Sequence, residues 1–444
     1  MAIHPIESRY GRKKVKEIFD EESKLARMLK VEAALVKAHA KVGNIPPEDA
    51  ALVARKANTR TVSLARVKQI EKEINHDVMA ICQALAEQCG SQGGYVHMGA
   101  TSNDIQDTAL ALQLRDYVFY LEEDLMGLKK ELLKQAGRHV DTITIGRTHG
   151  QHATPTTYGL KFAIYATEVQ RHLDRLGETK KRILVGQLTG AVGTQAALGE
   201  KAQLIQKHMM NELELEPVRV SNQVIQRDRH AEFLLLLALI SETLNKIATE
   251  IRNLQRTEIG EVREGFGKKQ VGSSTMPHKM NPILAERISG LSRVIKADAF
   301  ASLDNIALWH ERDLTNSSCE RIIIPEACIL TDYILSLSID LIKNLVFDHK
   351  AIEKNLNLSH GRIMAESVMV ALVSKGVSRD NAHKLTRECA LQSYKKDMDF
   401  KKTLLENKEI KEKLSEKELD KSLDPSQYIG TAVKQVNRVL KELK

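Results

Sequence analysis

Three features of the sequence converge on an all-α fold. Only nine prolines occur in 444 residues, and none lies between Pro47 and Pro155 or between Pro325 and Pro425. Stretches that long without proline leave room for uninterrupted helices. Hydrophobic residues make up 42% of the chain but aromatics only 4%, so the core must be aliphatic. Apolar residues also recur every three to four positions in several long segments, the period of a helix with one buried face.

Residues 1 to about 100 read as short helices, broken at Gly43-Asn44-Ile45-Pro46-Pro47 and again from Gly90 to Gly94. A long helix is expected next, capped by Asn103 with Gln106 three residues on. Its apolar stripe is Leu110, Leu114, Val118, Leu121, Leu125 and Leu128. Thr154-Pro155 is expected to open a second long helix running through Leu173 and Leu176, and a third runs from Asp228 past Ile251. That third helix holds Phe233–Ile240, the most apolar run but far short of the ~18 residues that suggest a membrane span. It reads as a helix buried on all sides, in a bundle or at an oligomer interface. A fourth helix starts at Pro282 and a fifth near Pro325, passing Ile329, Leu330, Ile334, Leu337 and Leu341. From about Ala351 the periodic segments are shorter and more polar. The expected division is 1–100, a helical N-terminal domain; 101–350, a central long-helix bundle; and 351–444, a small helical domain. Five wide apolar faces cannot all be covered within one slim bundle, which favours packing against further copies of the chain.

The net charge of +8 suggests an anionic partner. The positive residues concentrate in mixed-sign C-terminal stretches such as Lys408 to Lys421, a solvated-face pattern, and no basic run is interleaved with aromatics. A small polyanion fits better than nucleic acid. Five dispersed cysteines (Cys82, Cys89, Cys319, Cys328, Cys389) form neither a disulfide framework nor a zinc spacing, and Met1–Pro5 does not read as a signal peptide. The expected setting is cytoplasmic, with no membrane partner.

Residues 272–282, Gly-Ser-Ser-Thr-Met-Pro-His-Lys-Met-Asn-Pro, place two hydroxyls, a lysine and an asparagine ahead of a helix. Asn281-Pro282 is a good helix entry, and Gly260, Gly265, Gly267 and Gly272 suit a loop that closes on a ligand while carrying a nucleophile or base. Four further segments set polar side chains at expected helix starts. Gly94–Asp104, with His97, Thr101 and Ser102, reads either as an anion site at a helix N-terminus or as plain capping. Gly146–Pro155 carries His149 and His152; with no further ligand at useful spacing, a general acid is a better reading than a metal site, beside an ordinary loop histidine. Asn222–His230 runs a polar cluster into the most apolar helix. Leu308–Arg321 offers Arg312, Ser317 and Arg321 either to a phosphate or to a salt-bridge network with Glu311, Asp313 and Glu320.

The Gly-Ser-Ser-x-x-Pro-x-Lys-x-Asn-Pro pattern resembles the signature loop of the fumarase/aspartase superfamily. Thr148-His149-Gly150, Gln226-Arg227-Asp228-Arg229-His230, Trp309-His310-Glu311-Arg312-Asp313 and Arg9-Tyr10 resemble its adenylosuccinate lyase family. Together these segments span positions 9 to 321; the last hundred residues carry no matched motif. The resemblance implies a three-domain, nearly all-helical subunit whose central helices join in a twenty-helix core of a homotetramer, with active sites shared between subunits. It implies elimination of fumarate from a succinylated purine nucleotide, with no metal or organic cofactor. Carried onto this chain, Ser273 resembles the base, with Ser274 beside it, and His149 the general acid, tuned by Glu286. Lys279 and Asn281 would stabilise the carbanion. Thr101, Ser102 and Gln223 would hold the succinyl carboxylates. His76, also carried over as catalytic, and His97 would line the pocket, with Asp77 toward the sugar or base. Arg9, Tyr10, Arg312, Ser317 and Arg321 would bind phosphate.

Overall fold

The computed structural model describes residues 4–267, 275–276 and 278–443. The fold is all-α. Five long helices dominate it: Ser102–Arg138, Tyr158–Ile183, Asp228–Leu254, Ile283–Asp304 and Thr315–Lys343. Strands among the described residues are confined to three two-stranded pairings, the largest a hairpin of β1 (Ile143–Thr148) and β2 (Gln151–Thr157). The chain divides into two compact units, residues 1–125, 172–244 and 290–336 in one, and 126–171, 245–289 and 337–444 in the other. Each long helix contributes to both. This division follows packing; the expected boundaries at 100 and 350 follow chain order.

In the first unit the helix Glu21–Lys41 is held by an aliphatic stripe, Leu25, Met28, Leu29, Leu35 and Val36, all buried. Its N-terminus is capped by Asp20, whose Oδ1 accepts the Ser23 N–H at 2.6 Å. Asp77–Ala86 and the start of Ser102–Arg138 pack into the same core through Val78, Ile81, Ile105 and Leu112. Arg12 binds Asp332 and Asp124, which ties the chain start to two long helices. Thr315–Lys343 is long and apolar enough to cross a membrane, but it is mostly buried and carries Asp332 on that ion pair, features of a core helix.

The expected fifth helix begins ten residues before Pro325, which sits inside it. Proline removes one ladder hydrogen bond. Here the buried residues on both sides, Ile323, Ile324, Ala327 and Cys328, carry the helix through. The expected helix start at Thr154-Pro155 is also corrected: these residues lie in β2, and the helix begins at Tyr158. His149 and Gly150 (φ 54° and 74°) form the two-residue turn of the hairpin, the left-handed pair that matches strand twist. The expected Asn103 cap gives way to a helix starting at Ser102, with Asp104 Oδ2 accepting the Thr101 N–H at 2.9 Å. Phe233–Ile240 is not covered on all sides within one chain, since Leu239 is 53% exposed while Phe233 and Leu237 are sealed.

In the second unit the hairpin is anchored by Glu261. Its fully buried carboxylate accepts hydrogen bonds from Thr144, Arg147, Tyr158 and Asn355. Burial opposes this charge, but the Arg147, Tyr158 and Asn355 donors outweigh it and hold the group below the usual carboxylate range. A depressed folded value gives stability that is complete above the unfolded value and lost as pH falls through the folded one. Glu261→Ala strands a buried guanidinium and three polar groups, and is expected to cost about 3–5 kcal/mol in chemical denaturation. The loss relative to wild type should shrink toward acid pH.

Candidate active site

The first unit contains a cavity of about 330 Å³ lined by Lys24, Gln106, Arg312, Ser317, Glu320 and Arg321, among others. Asp313 shapes the turn that leads into its wall. It accepts N–H groups from Trp309 (2.6 Å) and Thr315 (2.8 Å), which starts the helix so that Ser317, Arg321 and Ile324 follow on one face. Arg321 donates to Asp77 Oδ2 at 2.5 Å, and Gln106 reaches the same oxygen at 3.3 Å. Burial works against the Asp77 charge, but the Arg321 guanidinium holds it below the ordinary range. Burial, then Arg321, pushes the Lys24 ammonium down from its usual value. Lys24, Arg312 and Arg321 thus give the cavity a cationic wall suited to a phosphate.

Behind that wall lies Arg227, which is buried. It donates to both oxygens of Asp107 at 2.8 and 2.9 Å and to Glu320 at 2.8 and 3.1 Å. Its neighbour His230 is driven down to about 4 by burial and by the Arg227 charge, so that ring is neutral. Arg312 reaches Gln223 Oε1 at 3.1 Å, and its Nε is buried without a partner among the described residues.

Asp104 gathers the loops around Thr101 and Ser102. Beyond Thr101, its carboxylate accepts the N–H groups of Thr189 (2.8 Å) and Gly190 (3.1 Å). Gln223 closes the arrangement by donating to the Ala191 carbonyl at 2.9 Å, and Thr189 donates to the Asn222 carbonyl at 3.2 Å. The loops approach so closely that a Cβ on Gly193 (φ +88°) would meet the Ser221 carbonyl oxygen at 2.2 Å. Thr101, Gln223 and Arg312 therefore belong to one hydrogen-bonded assembly, with Ser102 next to Thr101 at the helix start.

His97 lies in the loop before Thr101, with its Nδ1 2.7 Å from Glu32. His76 caps the helix Asp77–Ala86; its Nδ1 accepts the Met79 N–H at 3.3 Å, which leaves the proton of a neutral ring on Nε2. Arg9 is exposed and stands over the Tyr10 ring, which packs against Tyr333. Neither Arg9 nor Tyr10 lines the cavity.

In the second unit His149 is exposed at the hairpin tip. Lys279 and Glu286 are exposed and Asn281 half-buried; Ser273 and Ser274 lie outside the described residues. Among the described residues no ion pair joins Glu286 to His149. The helix Ile283–Asp304 is capped from a distance, the Glu264 carboxylate accepting the N–H groups of Leu284 (3.2 Å) and Ala285 (2.7 Å). Gln255 donates to the Met280 carbonyl at 2.9 Å and accepts the Glu264 N–H at 3.0 Å.

Residues 9–296 match the lyase family model, and residues 361–439 match the model for the adenylosuccinate lyase C-terminus. The adenylosuccinate lyase of Methanocaldococcus jannaschii is 53% identical across all of this chain and 96% of its own length. That of Pyrococcus abyssi is 51% identical, over 99% of this chain and 98% of its own. The chain belongs to the adenylosuccinate lyase family. Among solved structures, a fumarate lyase from Mesorhizobium sp. BNC1 superposes with a TM-score of 0.91 at 30% identity, over 99% of this chain and 100% of its own. The 3-carboxy-cis,cis-muconate lactonizing enzyme of Pseudomonas putida gives 0.90 at 32% identity, over 99% and 98%.

Of the family motifs, the Thr101, Gln223 and Arg312–Arg321 segments come together in the first unit, whereas Arg9 and Tyr10 stand apart from its cavity. Sequence reasoning missed the residues that hold the polar assemblies of each unit together: Glu32, Asp104, Asp107, Glu261 and Glu264, together with the cavity cation Lys24. Asp107 and Asp104 carried a signal, being charged residues on the buried face of an otherwise apolar helix. Glu32 carried the same one. Gly193→Ala and Gly190→Ala test the loop junction. Both residues have left-handed φ, but a Cβ on Gly190 meets nothing nearer than 3.9 Å. Each substitution should cost on the order of 1 kcal/mol for its backbone conformation, and Gly193→Ala clearly more, in paired thermal melts.

Proposed function

We propose that this chain eliminates fumarate from adenylosuccinate, giving AMP, and from the succinyl-aminoimidazole-carboxamide ribotide of purine biosynthesis. One observation carries the reading. Within a chain of this family, Arg312, Arg321 and Ser317 line one cationic cavity, and Arg312 is hydrogen-bonded to Gln223 of the Thr101–Ser102 assembly. A phosphate held at one end and succinyl carboxylates at the other match a succinylated nucleotide.

In the reaction Ser273 takes the proton from the succinyl β-carbon, and the electron pair first spreads onto the adjacent carboxylate. Lys279 and Asn281 stabilise that charge, which is worth most in a dry site. The carbon–nitrogen bond then breaks, the fumarate double bond forms, and His149 protonates the departing nitrogen. A serine acts as a base only where nearby donors favour its ionised form. No metal or organic cofactor enters these steps.

A homotetramer with shared active sites is part of the same proposal. It is supported by the apolar side chains that the first unit leaves uncovered on long helices, Leu235, Leu239, Leu303 and Phe300, the last 73% exposed. A twenty-helix core formed by four copies would cover them. It would also give Glu286 and His149 partners from other copies. The division at 100 and 350 remains our reading, supported by the C-terminal family match inside 351–444. A cytoplasmic setting is proposed from the five free cysteines, four of them buried. No nucleic-acid or membrane partner is proposed.

An ultraviolet assay of purified protein with adenylosuccinate, with fumarate measured in parallel, tests the reaction. Turnover should disappear in Ser273→Ala and fall by about 10²–10⁴ in His149→Gln. Arg321→Ala and Arg312→Ala should raise KM for the nucleotide by roughly 10- to 100-fold, the loss of a charge-assisted hydrogen bond. The fold shared with the muconate lactonizing enzyme supplies the competing outcome. Turnover of a carboxymuconate, with adenylosuccinate inert, would overturn the substrate assignment and leave the lyase fold in place.

A further inference from the structure

Glu32 occupies a place where the packing of the helix Glu21–Lys41 calls for an aliphatic residue. It lies on the buried stripe between Leu29 and Leu35 and is 1% exposed. A carboxylate in such a place costs several kcal/mol unless its lone pairs are engaged. Here they are. Oε2 accepts the His97 backbone N–H at 3.0 Å, Oε1 lies 2.7 Å from His97 Nδ1, and the Cys82 thiol donates to Oε1 at 3.6 Å. Seven residues on, two turns along the same stripe, His39 Nε2 binds the Met98 carbonyl at 3.0 Å. The two polar residues of an otherwise aliphatic face thus grip two consecutive residues of one loop.

That loop needs gripping. His97 adopts a left-handed φ of 61°, which costs a non-glycine residue on the order of 1 kcal/mol. The bond from Glu32 to its backbone N–H holds that conformation, and the bond to Nδ1 fixes the ring. Cys82, Glu32 and His97 are residue types that ligate metals, and their donor atoms lie within 4.8 Å of one another. The distances describe something else, since the thiol and the ring both converge on one carboxylate oxygen. The carboxylate is the hub, and its donors are its satisfaction.

We propose that Glu32 is a positioning residue for His97, holding its imidazole by Nδ1 so that Nε2–H is offered to an anionic group of the substrate. Among the described residues Nε2 has no protein partner. The inference rests on the lyase reading above, in which His97 lines the site for a dicarboxylate nucleotide. Three titratable groups face the ring: Glu32 from its own helix, Cys82 from Asp77–Ala86 and Asp104 from Ser102–Arg138. Burial disfavours a charged ring, yet the Glu32 hydrogen bond and the charges of Glu32 and Asp104 outweigh it and raise His97 above its ordinary value. The thiol is pushed far up by burial and by Glu32, so Cys82 stays protonated and acts only as a donor.

The sign follows. A raised value holds the cationic ring to higher pH than an ordinary histidine; without the Glu32 charge, the ring loses its Nε2 proton at lower pH. The test uses full-length protein labelled with ¹³C-histidine, with the His97 resonance assigned from His97→Gln. In wild type His97 should titrate above its ordinary range, and in Glu32→Gln its midpoint should fall by about 1 unit or more. Glu32→Gln keeps an acceptor for the backbone N–H, so the loop is retained. The alkaline limb of kcat/KM for adenylosuccinate should move down with the ring, so that the activity deficit of Glu32→Gln widens from pH 6 to pH 8. Cys82→Ser, which leaves carboxylate and ring in place, should leave the limb where it is.

A wild-type His97 that titrates at or below its ordinary value overturns the proposal without any variant. So does an unshifted ring in Glu32→Gln, or a shifted ring with an unchanged pH profile. If wild type does not turn over adenylosuccinate, the function reading fails, and the ring titration still decides whether Glu32 sets the state of His97.

Discussion

A single buried guanidinium sets the geometry on which the first unit's site depends. Arg227 cannot lose its proton, and in a buried position it demands carboxylates on every side. It finds Asp107 on the helix Ser102–Arg138 and Glu320 on the helix Thr315–Lys343, and donates as well to the Ile225 carbonyl beside it. These bonds are directional and bidentate, so they set the register of two long helices and one loop, which aliphatic contacts alone would leave free to slide. Arg321 and Ser317 lie within one turn of Glu320, and Gln106 adjoins Asp107. The register Arg227 imposes is therefore the register in which the cationic wall and the start of the Ser102 helix come together.

The same device recurs wherever irregular backbone must be held still. Asp104 collects three backbone N–H groups from two loops, Glu264 caps a helix that begins nineteen residues downstream of it, and Glu261 anchors the hairpin that carries His149. Loops have few apolar side chains to pack, so position comes from hydrogen bonds. A buried carboxylate, with about four acceptor sites, can hold several strands of chain at once. The cost is desolvation, which each of these groups offsets with its own set of donors. The aliphatic core supplies stability, while a handful of buried acids and their arginine partners supply precision.

The helical architecture was legible because long helices need only periodicity and freedom from proline, both local properties. The third and fourth long helices begin where the pattern changes, at Asp228 and just after Pro282. Local rules failed where a distant group did the work. Asn103 looked like a cap, but Asp104 makes the bond to Thr101 while also serving Thr189 and Gly190. The N–H groups of Leu284 and Ala285 are taken by Glu264, twenty and twenty-one residues upstream. Pro325 reads as a helix start, but buried isoleucines before it extend the helix ten residues upstream. The hairpin was missed for a different reason. His149-Gly150 is a local signal for a two-residue turn, which a search for helix starts at Thr154-Pro155 passed over.

By itself the sequence determined the class of fold, the positions of most long helices and the family whose motifs it carries. Each of these is written in residues close together along the chain. Only the tertiary structure decided which polar residues act together. Arg312 and Gln223 are 89 positions apart, Arg321 and Asp77 are 244, and Glu32 and His97 are 65. Pairs so distant leave no periodicity and no spacing to read. They meet because a buried charge must be neutralised by whatever the fold brings within reach, and the packing of the helices settles what that is.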